Sequence, residues 1–214
     1  MSDFTNTFNE ISELLQKGKA KDIVGVVEKA LNEGAAPADI LEKGLISGMN
    51  IVGGKFKNGE IFVPEVLISA RAMNKASEAL KPALMQAGVQ PVGKAIICTV
   101  KGDLHDIGKN LVRMMIEGKG VEVLDLGVDC PNEKIVEAVQ GSDAKVLCLS
   151  ALLTTTMQMQ KEAIDALKAA GLRDKIKVMV GGAPVTENFA NEIGADAYTP
   201  DAASAAEVCR AFYS

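Results

Sequence analysis

The chain has 214 residues, of which 48% are hydrophobic and 24% are charged, and this balance predicts a folded globular protein. Its 23 basic and 28 acidic residues leave a net charge of −5, so the chain lacks a broad basic surface for nucleic acid. No basic N-terminal segment leads into an apolar run, and no apolar run approaches the roughly 18 residues of a membrane-spanning helix. We therefore expect a cytoplasmic protein with no nucleic-acid or membrane partner.

Residues 1–90 predict a helical domain. Apolar residues recur there at alternating spacings of three and four positions, which is typical of helices that pack along one face. The apolar stripes lie within residues 4–15, 20–31, 45–56 and 66–80. Pro37 and Pro64 stand where proline is tolerated, in the first turns of the helices that follow them. Because the links between the stripes are short, we expect a four-helix bundle.

Residues 91–214 predict a second, α/β domain. Short apolar runs at 95–100, 121–126, 145–150, 176–180 and 195–198 alternate with amphipathic segments. Five such β-α units favour a five-stranded, doubly wound parallel sheet of the flavodoxin-like, Rossmann type, with strand order 2-1-3-4-5. Sheets of this order bind ligands at the carboxyl ends of strands 1 and 3. The functional residues are therefore expected in the strand-end loops DLHDIGKN, SALLTTT and GGAPVT.

The sulfur-containing residues predict no metal site of their own. The four cysteines, Cys98, Cys130, Cys148 and Cys209, form no CxxC pair, and two of them lie in apolar runs. We expect reduced, buried thiols rather than disulfides or zinc ligands. The nine methionines are expected to fill the core and interfaces.

The loop DLHDIGKN contains the only histidine of the chain, His105. The loop is not a phosphate-binding P-loop, because five residues separate Gly102 from Gly108 and Asn110 stands where a serine or threonine is needed. It also lacks the three glycines of a dinucleotide-binding fingerprint. Asp103 lies two residues before His105, and a histidine that binds a metal commonly donates its second N–H to a carboxylate.

A single imidazole limits the metal that the loop can hold. Zinc requires three or four protein ligands, and the chain offers no second histidine and no paired thiolates. The pattern instead favours a metal that brings most of its own ligands, such as the cobalt of a corrin or the iron of a haem. Haem usually occupies an apolar helical pocket, whereas His105 is expected in a polar loop. A polar loop without any cofactor is the remaining alternative.

Three sequence elements together resemble the cobalamin-binding signature. Asp103, His105 and Gly108 form D-x-H-x-x-G, residues 150–152 form S-x-L, and the pair Gly181-Gly182 follows strand 4. In the helical part, EKGLISGMNIVGGKF and IFVPEVLISARAM resemble the cap that covers methylcobalamin in methionine synthase and in small corrinoid proteins of methyltransferase systems. The resemblance covers nearly the whole chain.

This resemblance implies a role for each matching residue. His105 would replace the dimethylbenzimidazole of cobalamin as the lower axial ligand of cobalt, Asp103 would hold it by a hydrogen bond, and the Thr156 hydroxyl would extend this relay. The implied contacts in the first loop are Gly102, Leu104, Asp106 and Gly108. Those along the slot for the displaced nucleotide tail are Ser150, Leu152, Thr154, Gly181, Gly182, Tyr198 and Ala202. The implied contacts in the cap are Glu42, Phe56 and Val63.

Several of these residues also have an ordinary structural explanation. Asp106 suits the first turn of the helix after the loop, where a carboxylate complements the helix dipole. Phe56 and Val63 suit the core of the bundle, and Glu42 suits a solvated helix face. Lys109 is expected to be solvated.

The resemblance implies a corrinoid carrier rather than a complete enzyme. Its cofactor would alternate between cob(I)alamin and methylcobalamin. One partner methyltransferase, specific for a methylated substrate, would load the methyl group, and a second would pass it to tetrahydrofolate or a thiol. A reductive activation protein is a further expected partner. The methyl donor stays open among methanol, a methylamine, a betaine and a methoxylated aromatic. The alternatives are a cobalamin-dependent sensor or regulator and the small subunit of an adenosylcobalamin mutase.

Overall fold

The structure, a computed structural model, describes residues 4–214. These residues form two compact units that divide between Pro91 and Val92. The first unit is helical, and the second is built on a parallel sheet. In the described range, no helix combines the length and the apolar character that crossing a membrane requires.

The first unit contains the predicted helices. They are Thr5–Gln16 (α1), Ala20–Asn32 (α2), Pro37–Asp39 (α3), Ser47–Lys57 (α4) and Val63–Gln86 (α5), and a π-helical segment, Ile40–Ile46, joins α3 to α4. Since α3, the π-helical segment and α4 follow one another without a break, residues 4–91 contain four helical stretches, as predicted. Pro37 and Pro64 lie in the first turns of α3 and α5, also as predicted.

The apolar stripes form the buried faces of these helices. Ile11 of α1, Val27 of α2 and Leu80 of α5 are fully buried. The π-helical segment passes close to α1, because a Cβ atom added at Gly44 would lie 2.9 Å from the Ile11 side chain. A glycine at this position therefore lets the two helices approach each other.

The second unit is a five-stranded parallel sheet with the order β2-β1-β3-β4-β5. Its strands are Gly93–Thr99 (β1), Val121–Asp125 (β2), Val146–Ser150 (β3), Lys177–Gly181 (β4) and Ala197–Tyr198 (β5). Its α-helices are Ile107–Glu117 (α6), Asn132–Gln140 (α7), Met157–Ala169 (α8), Glu187–Ile193 (α9) and Ala202–Ala211 (α10). The predicted strand order is confirmed, and the predicted strand ends differ from the observed ones by at most two residues.

The sheet is buried because helices pack on it in two groups. Helices α7, α8 and α9 pack against one apolar cluster of the sheet, and α6 packs against α10. Ile96, Leu147 and Val178 of the three central strands are fully buried, which explains why these strands appear in the sequence as continuous apolar runs. All four cysteines are free and buried, as predicted.

The carboxyl ends of the strands form the edge where the polar loops begin. Thr99 of β1 pairs in register with Ser150 of β3, and Ser150 pairs with Gly181 of β4. The next residue, Gly182, has a φ of 128°, and a Cβ atom there would overlap with the carbonyl oxygen of Ala151. The loops after β3 and β4 therefore touch through their backbones, which only glycine permits.

Replacing Gly182 by alanine should lower the free energy of unfolding of the second unit by about 2 kcal/mol or more, because steric overlap adds to backbone strain. Gly108→Ala is the matched control, since Gly108 lies in α6 and nothing lies within 4 Å of its Cβ position. Chemical denaturation of both variants measures the difference. Equal stability of the two variants would contradict the backbone contact.

Candidate functional site

Asp103 is the buried centre of the loop after β1. Its side chain is fully buried, and both carboxylate oxygens have partners. Oδ1 accepts a hydrogen bond from the backbone N–H of His105 at 3.1 Å and lies 2.7 Å from the ring atom Nδ1 of His105. Oδ2 accepts hydrogen bonds from the Leu152 N–H at 2.7 Å and from the Thr156 hydroxyl at 2.8 Å. The structure thus brings Asp103, His105 and Thr156 together.

This arrangement fixes the proton of the imidazole. Burial alone would raise the pKa of Asp103, but the hydrogen bonds from Leu152, His105 and Thr156 outweigh it and hold the pKa well below its usual value. The carboxylate is therefore ionised at neutral pH and accepts the proton of Nδ1. A neutral imidazole that carries its proton on Nδ1 has its lone pair on Nε2. Because the His105 side chain is 49% exposed, the ring remains accessible to a ligand.

The backbone of the loop is held by local hydrogen bonds. The Asp103 N–H donates to the Val100 carbonyl at 3.2 Å, and Gly102 makes the turn between them with a φ of 80°. The buried Thr99 hydroxyl donates to the His105 carbonyl at 2.8 Å. Sequence reasoning missed Thr99, although a hydroxyl side chain within an apolar strand is a signal for such a bond.

Asp106 lies at the start of α6, in agreement with its structural explanation, whereas Lys109 has a different role from the one expected. Asp106 precedes α6, is exposed, and accepts a hydrogen bond from the Asn110 side chain at 3.3 Å. The prediction that Lys109 is solvated is wrong, because its side chain is only 3% exposed and its ammonium group binds the Asp125 carboxylate. Burial alone would raise the pKa of Asp125, but hydrogen bonds from Lys109 and from the Gly127 N–H lower it. Lys109 thus anchors the first turns of α6 to the end of β2.

The predicted slot residues lie at the same edge of the sheet. Ser150, Gly181 and Tyr198 end the strands β3, β4 and β5. Leu152 and Thr154 are exposed in the loop after β3, and Ala202 is the first, buried residue of α10. The strand order therefore gathers these positions on one side of the second unit.

The predicted cap residues belong to the first unit. Glu42 is exposed in the π-helical segment, and Phe56 and Val63 are half-buried in α4 and α5. The sequence did not predict the π-helical segment, although such segments recur at functional positions of helices. The contact of Glu42, Phe56 and Val63 with a cofactor stays a prediction.

Several features of the second unit fit a large apolar ligand at His105. Large apolar side chains are exposed on the loops that carry Asp103 and Thr156: Leu104 by 72%, Ile107 by 73%, Leu152 by 40% and Leu153 by 43%. The space beside Gly108 is open, since nothing lies within 4 Å of its Cβ position. Residues 4–214 contain no group of three or more His, Cys, Asp or Glu side chains that suits a metal ion. The donor set is a single imidazole, which suits a metal held in a macrocycle.

Gln160 is a further polar residue at the strand ends that the sequence did not indicate. Its Nε2 donates to the Leu149 carbonyl at 2.9 Å and to the Gly181 carbonyl at 3.1 Å, so it joins β3 to β4. Its Oε1 is buried and has no hydrogen-bond partner among the described residues. A bound molecule with an N–H or O–H group would satisfy this acceptor.

Two family models match the chain, and each is described as a B12 binding domain, one over residues 93–209 and the other over residues 7–81. The dimethylamine corrinoid protein of Methanosarcina barkeri is 44% identical over 92% of this chain and 92% of that protein. Monomethylamine corrinoid protein 2 of Methanosarcina acetivorans is 43% identical over 95% of this chain and 96% of that protein. A chain of the methanol:cobalamin methyltransferase complex of Methanosarcina barkeri aligns with a TM-score of 0.86 and 32% identity, over 97% of this chain and 80% of that chain.

These matches confirm two of the predictions from the sequence. The fold, a helical part followed by a parallel α/β domain, is shared with a solved structure that is 32% identical. The cofactor is cobalamin, since the models that match the two units both describe B12 binding domains. The chain therefore belongs to the family of corrinoid proteins with B12 binding domains.

Proposed function

We propose that this protein is a methyl carrier that binds cobalamin with its nucleotide base displaced and with His105 as the lower ligand of cobalt. The observation that carries the proposal is the hydrogen bond between the buried Asp103 carboxylate and Nδ1 of a half-exposed imidazole. When bound, cobalamin would supply a cobalt centre that accepts and releases a methyl group. The relatives are named corrinoid proteins, and the aligned structure is that of a methyltransferase complex, which supports a subunit rather than a complete enzyme.

The residues around His105 would control its lone pair and its proton. Asp103 keeps the proton on Nδ1 and so directs the lone pair of Nε2 to the ligand side. Leu152 and Thr156 hold the carboxylate in place. These contacts would hold the imidazole in the one tautomer that can offer Nε2 to cobalt.

The strand-end loops would accommodate the displaced nucleotide tail. Ser150, Gly181 and Tyr198 lie side by side along the sheet edge, and Gly182 keeps the loops after β3 and β4 in backbone contact. The Gln160 Oε1 has no hydrogen-bond partner within residues 4–214, which supports a polar group of the tail near this edge. The contacts assigned to the first loop, the slot and the cap are part of this proposal.

A methylamine is the methyl donor that the comparisons favour. The relatives at 44% and 43% identity are named for dimethylamine and monomethylamine, whereas the aligned complex, which is named for methanol, is 32% identical. We infer a methylamine-specific methyltransferase as the first partner. An acceptor methyltransferase and a reductive activation protein stay predictions. The four free thiols support a reducing, cytoplasmic compartment.

Replacing His105 by glycine should retain the fold and change the absorbance spectrum of bound cobalamin, because the chain has no second histidine that could bind cobalt. Adding free imidazole should restore the spectrum of the histidine-ligated form, which controls for damage to the cofactor site. An unchanged spectrum of the His105→Gly variant would remove His105 as the ligand.

Replacing Thr156 by valine preserves the shape of the side chain and removes one donor to the Asp103 carboxylate. The free energy of unfolding should fall by about 1–3 kcal/mol, because a buried charged acceptor loses a partner. Thr156→Ser retains the hydroxyl and is the matched control. Denaturation curves of both variants measure the effect, and equal losses would show that the hydroxyl does not support Asp103.

Methyl loading tests the carrier function directly. A dimethylamine- or monomethylamine-specific methyltransferase, supplied with its amine as methyl donor, should methylate the reduced, cobalamin-loaded protein. The absorbance spectrum of the bound cobalamin reports this methylation. A methanol-specific methyltransferase with methanol is the control for the donor class. Loading from methanol alone would reassign the donor. If neither pair loads the protein, the methylamine proposal is wrong, and pairs for betaine and methoxylated aromatics must also fail before a sensor is favoured over a carrier.

A further inference from the structure

The turn after β2 lies against the loop that carries His105. Asp129 in this turn makes two hydrogen bonds to that loop, although it lies 27 positions after Gly102 in the chain. Its carboxylate atom Oδ1 accepts the Gly102 N–H at 2.7 Å, and its own N–H donates to the Asp103 carbonyl at 2.9 Å. Asp129 therefore holds the backbone of the loop on both sides of the peptide bond between Gly102 and Asp103.

The backbone of Asp129 is strained at this position. Its φ is 48°, and within residues 4–214 no other residue except glycines has a positive φ. Aspartate tolerates this conformation better than most residues, but glycine adopts it without strain. If the residue served only to make the turn, glycine would serve better. The aspartate is therefore explained by the hydrogen bond that its side chain accepts from the Gly102 N–H rather than by the turn.

Asp103 is consequently held at both of its ends. Leu152 and Thr156 bind its carboxylate from the loop after β3, and Asp129 binds its carbonyl from the turn after β2. A rotation of Asp103 would move the oxygen atom that accepts the Nδ1 proton of His105. Both groups of hydrogen bonds oppose such a rotation, together with the hydrogen bond from the His105 N–H to Oδ1.

The same segment holds the chain on the other side of His105. Asp125, four residues before Asp129, binds the buried ammonium group of Lys109 in α6. Segment 125–129 thus contacts the chain before His105, through Gly102 and Asp103, and after it, through Lys109.

We propose that Asp129 is a positioning residue that fixes the tautomer and direction of the His105 ring through the backbone of Asp103. This inference rests on the proposed function, since it assigns the fixed ring to cobalt ligation. Asp129 would act without contacting the cofactor. Its loss should weaken histidine ligation even where the fold is intact.

Two variants of Asp129 separate the side-chain bond from the turn. Asp129→Gly relieves the strain and removes the acceptor for Gly102, whereas Asp129→Asn retains an oxygen acceptor and tolerates the positive φ. Because His105 is the only histidine, the ¹⁵N resonances of a histidine-labelled, cofactor-free chain report its tautomer without ambiguity. We expect the wild type and Asp129→Asn to show mainly the Nδ1–H tautomer and Asp129→Gly to show an increased share of Nε2–H. A wild-type tautomer in Asp129→Gly would overturn the proposal.

A second readout follows the bound cofactor. In the Co(II) state, a nitrogen ligand below cobalt splits the electron paramagnetic resonance lines. With ¹⁵N-labelled histidine, ligation by His105 gives a doublet, whereas the ¹⁴N of the cofactor's own base gives a triplet, so the histidine-ligated fraction can be measured. Asp129→Gly should lower the affinity for cobalamin about tenfold, which is the lower end of the range for residues that support a metal ligand. The same variant should reduce the split signal. Asp129→Asn should resemble the wild type.

The wild-type protein distinguishes the two possible failures. If the wild type shows no ¹⁵N splitting from the labelled histidine, histidine ligation is wrong and the role of Asp129 in ligation falls with it. If the wild type shows the splitting and Asp129→Gly matches it in both affinity and signal, only the role of Asp129 is wrong. A lower melting temperature of Asp129→Gly with an unchanged tautomer would likewise contradict positioning and indicate a structural role.

Discussion

The functional site depends on one buried carboxylate. An ionised side chain without solvent costs several kcal/mol unless hydrogen bonds replace its water, and Asp103 is fully buried. Its donors come from two loops, the one that carries His105 and the one that follows β3. Neither loop can move away without removing hydrogen bonds from the buried charge. The need to satisfy Asp103 therefore keeps both loops, and with them His105, in one arrangement.

The strand order makes this arrangement possible. β1 lies between β2 and β3, so the loop after β1 has a neighbour on each side. The loop after β3 binds the side chain of Asp103, and the turn after β2 binds its backbone. A metal ligand must be fixed in direction and still be open to the metal. Burying Asp103 while leaving half of the His105 side chain exposed would meet both requirements for the proposed ligand.

The surroundings of His105 suit a cofactor that brings its own equatorial ligands. One imidazole is enough for such a metal, and the exposed leucines and isoleucine of the two loops provide apolar surface for a macrocycle. The strand ends add a different kind of surface, in which glycine backbones and the buried amide of Gln160 lie close together. This division fits cobalamin, which has an apolar ring face and a polar nucleotide tail.

The sequence by itself determined the elements of the fold, their order and the motif of the site. Helix and strand periodicities are local, and D-x-H-x-x-G, S-x-L and the glycine pair are short, so one chain was enough to identify the loops. Their resemblance to the cobalamin-binding signature indicated the cofactor. Only the tertiary structure decided which residues support the motif. Thr99 and Asp129 depend on strand register and on contacts between distant loops, and the burial of Lys109 depends on how α6 packs against β2. No local pattern encodes such contacts, because each one requires two segments that meet only after the sheet has formed.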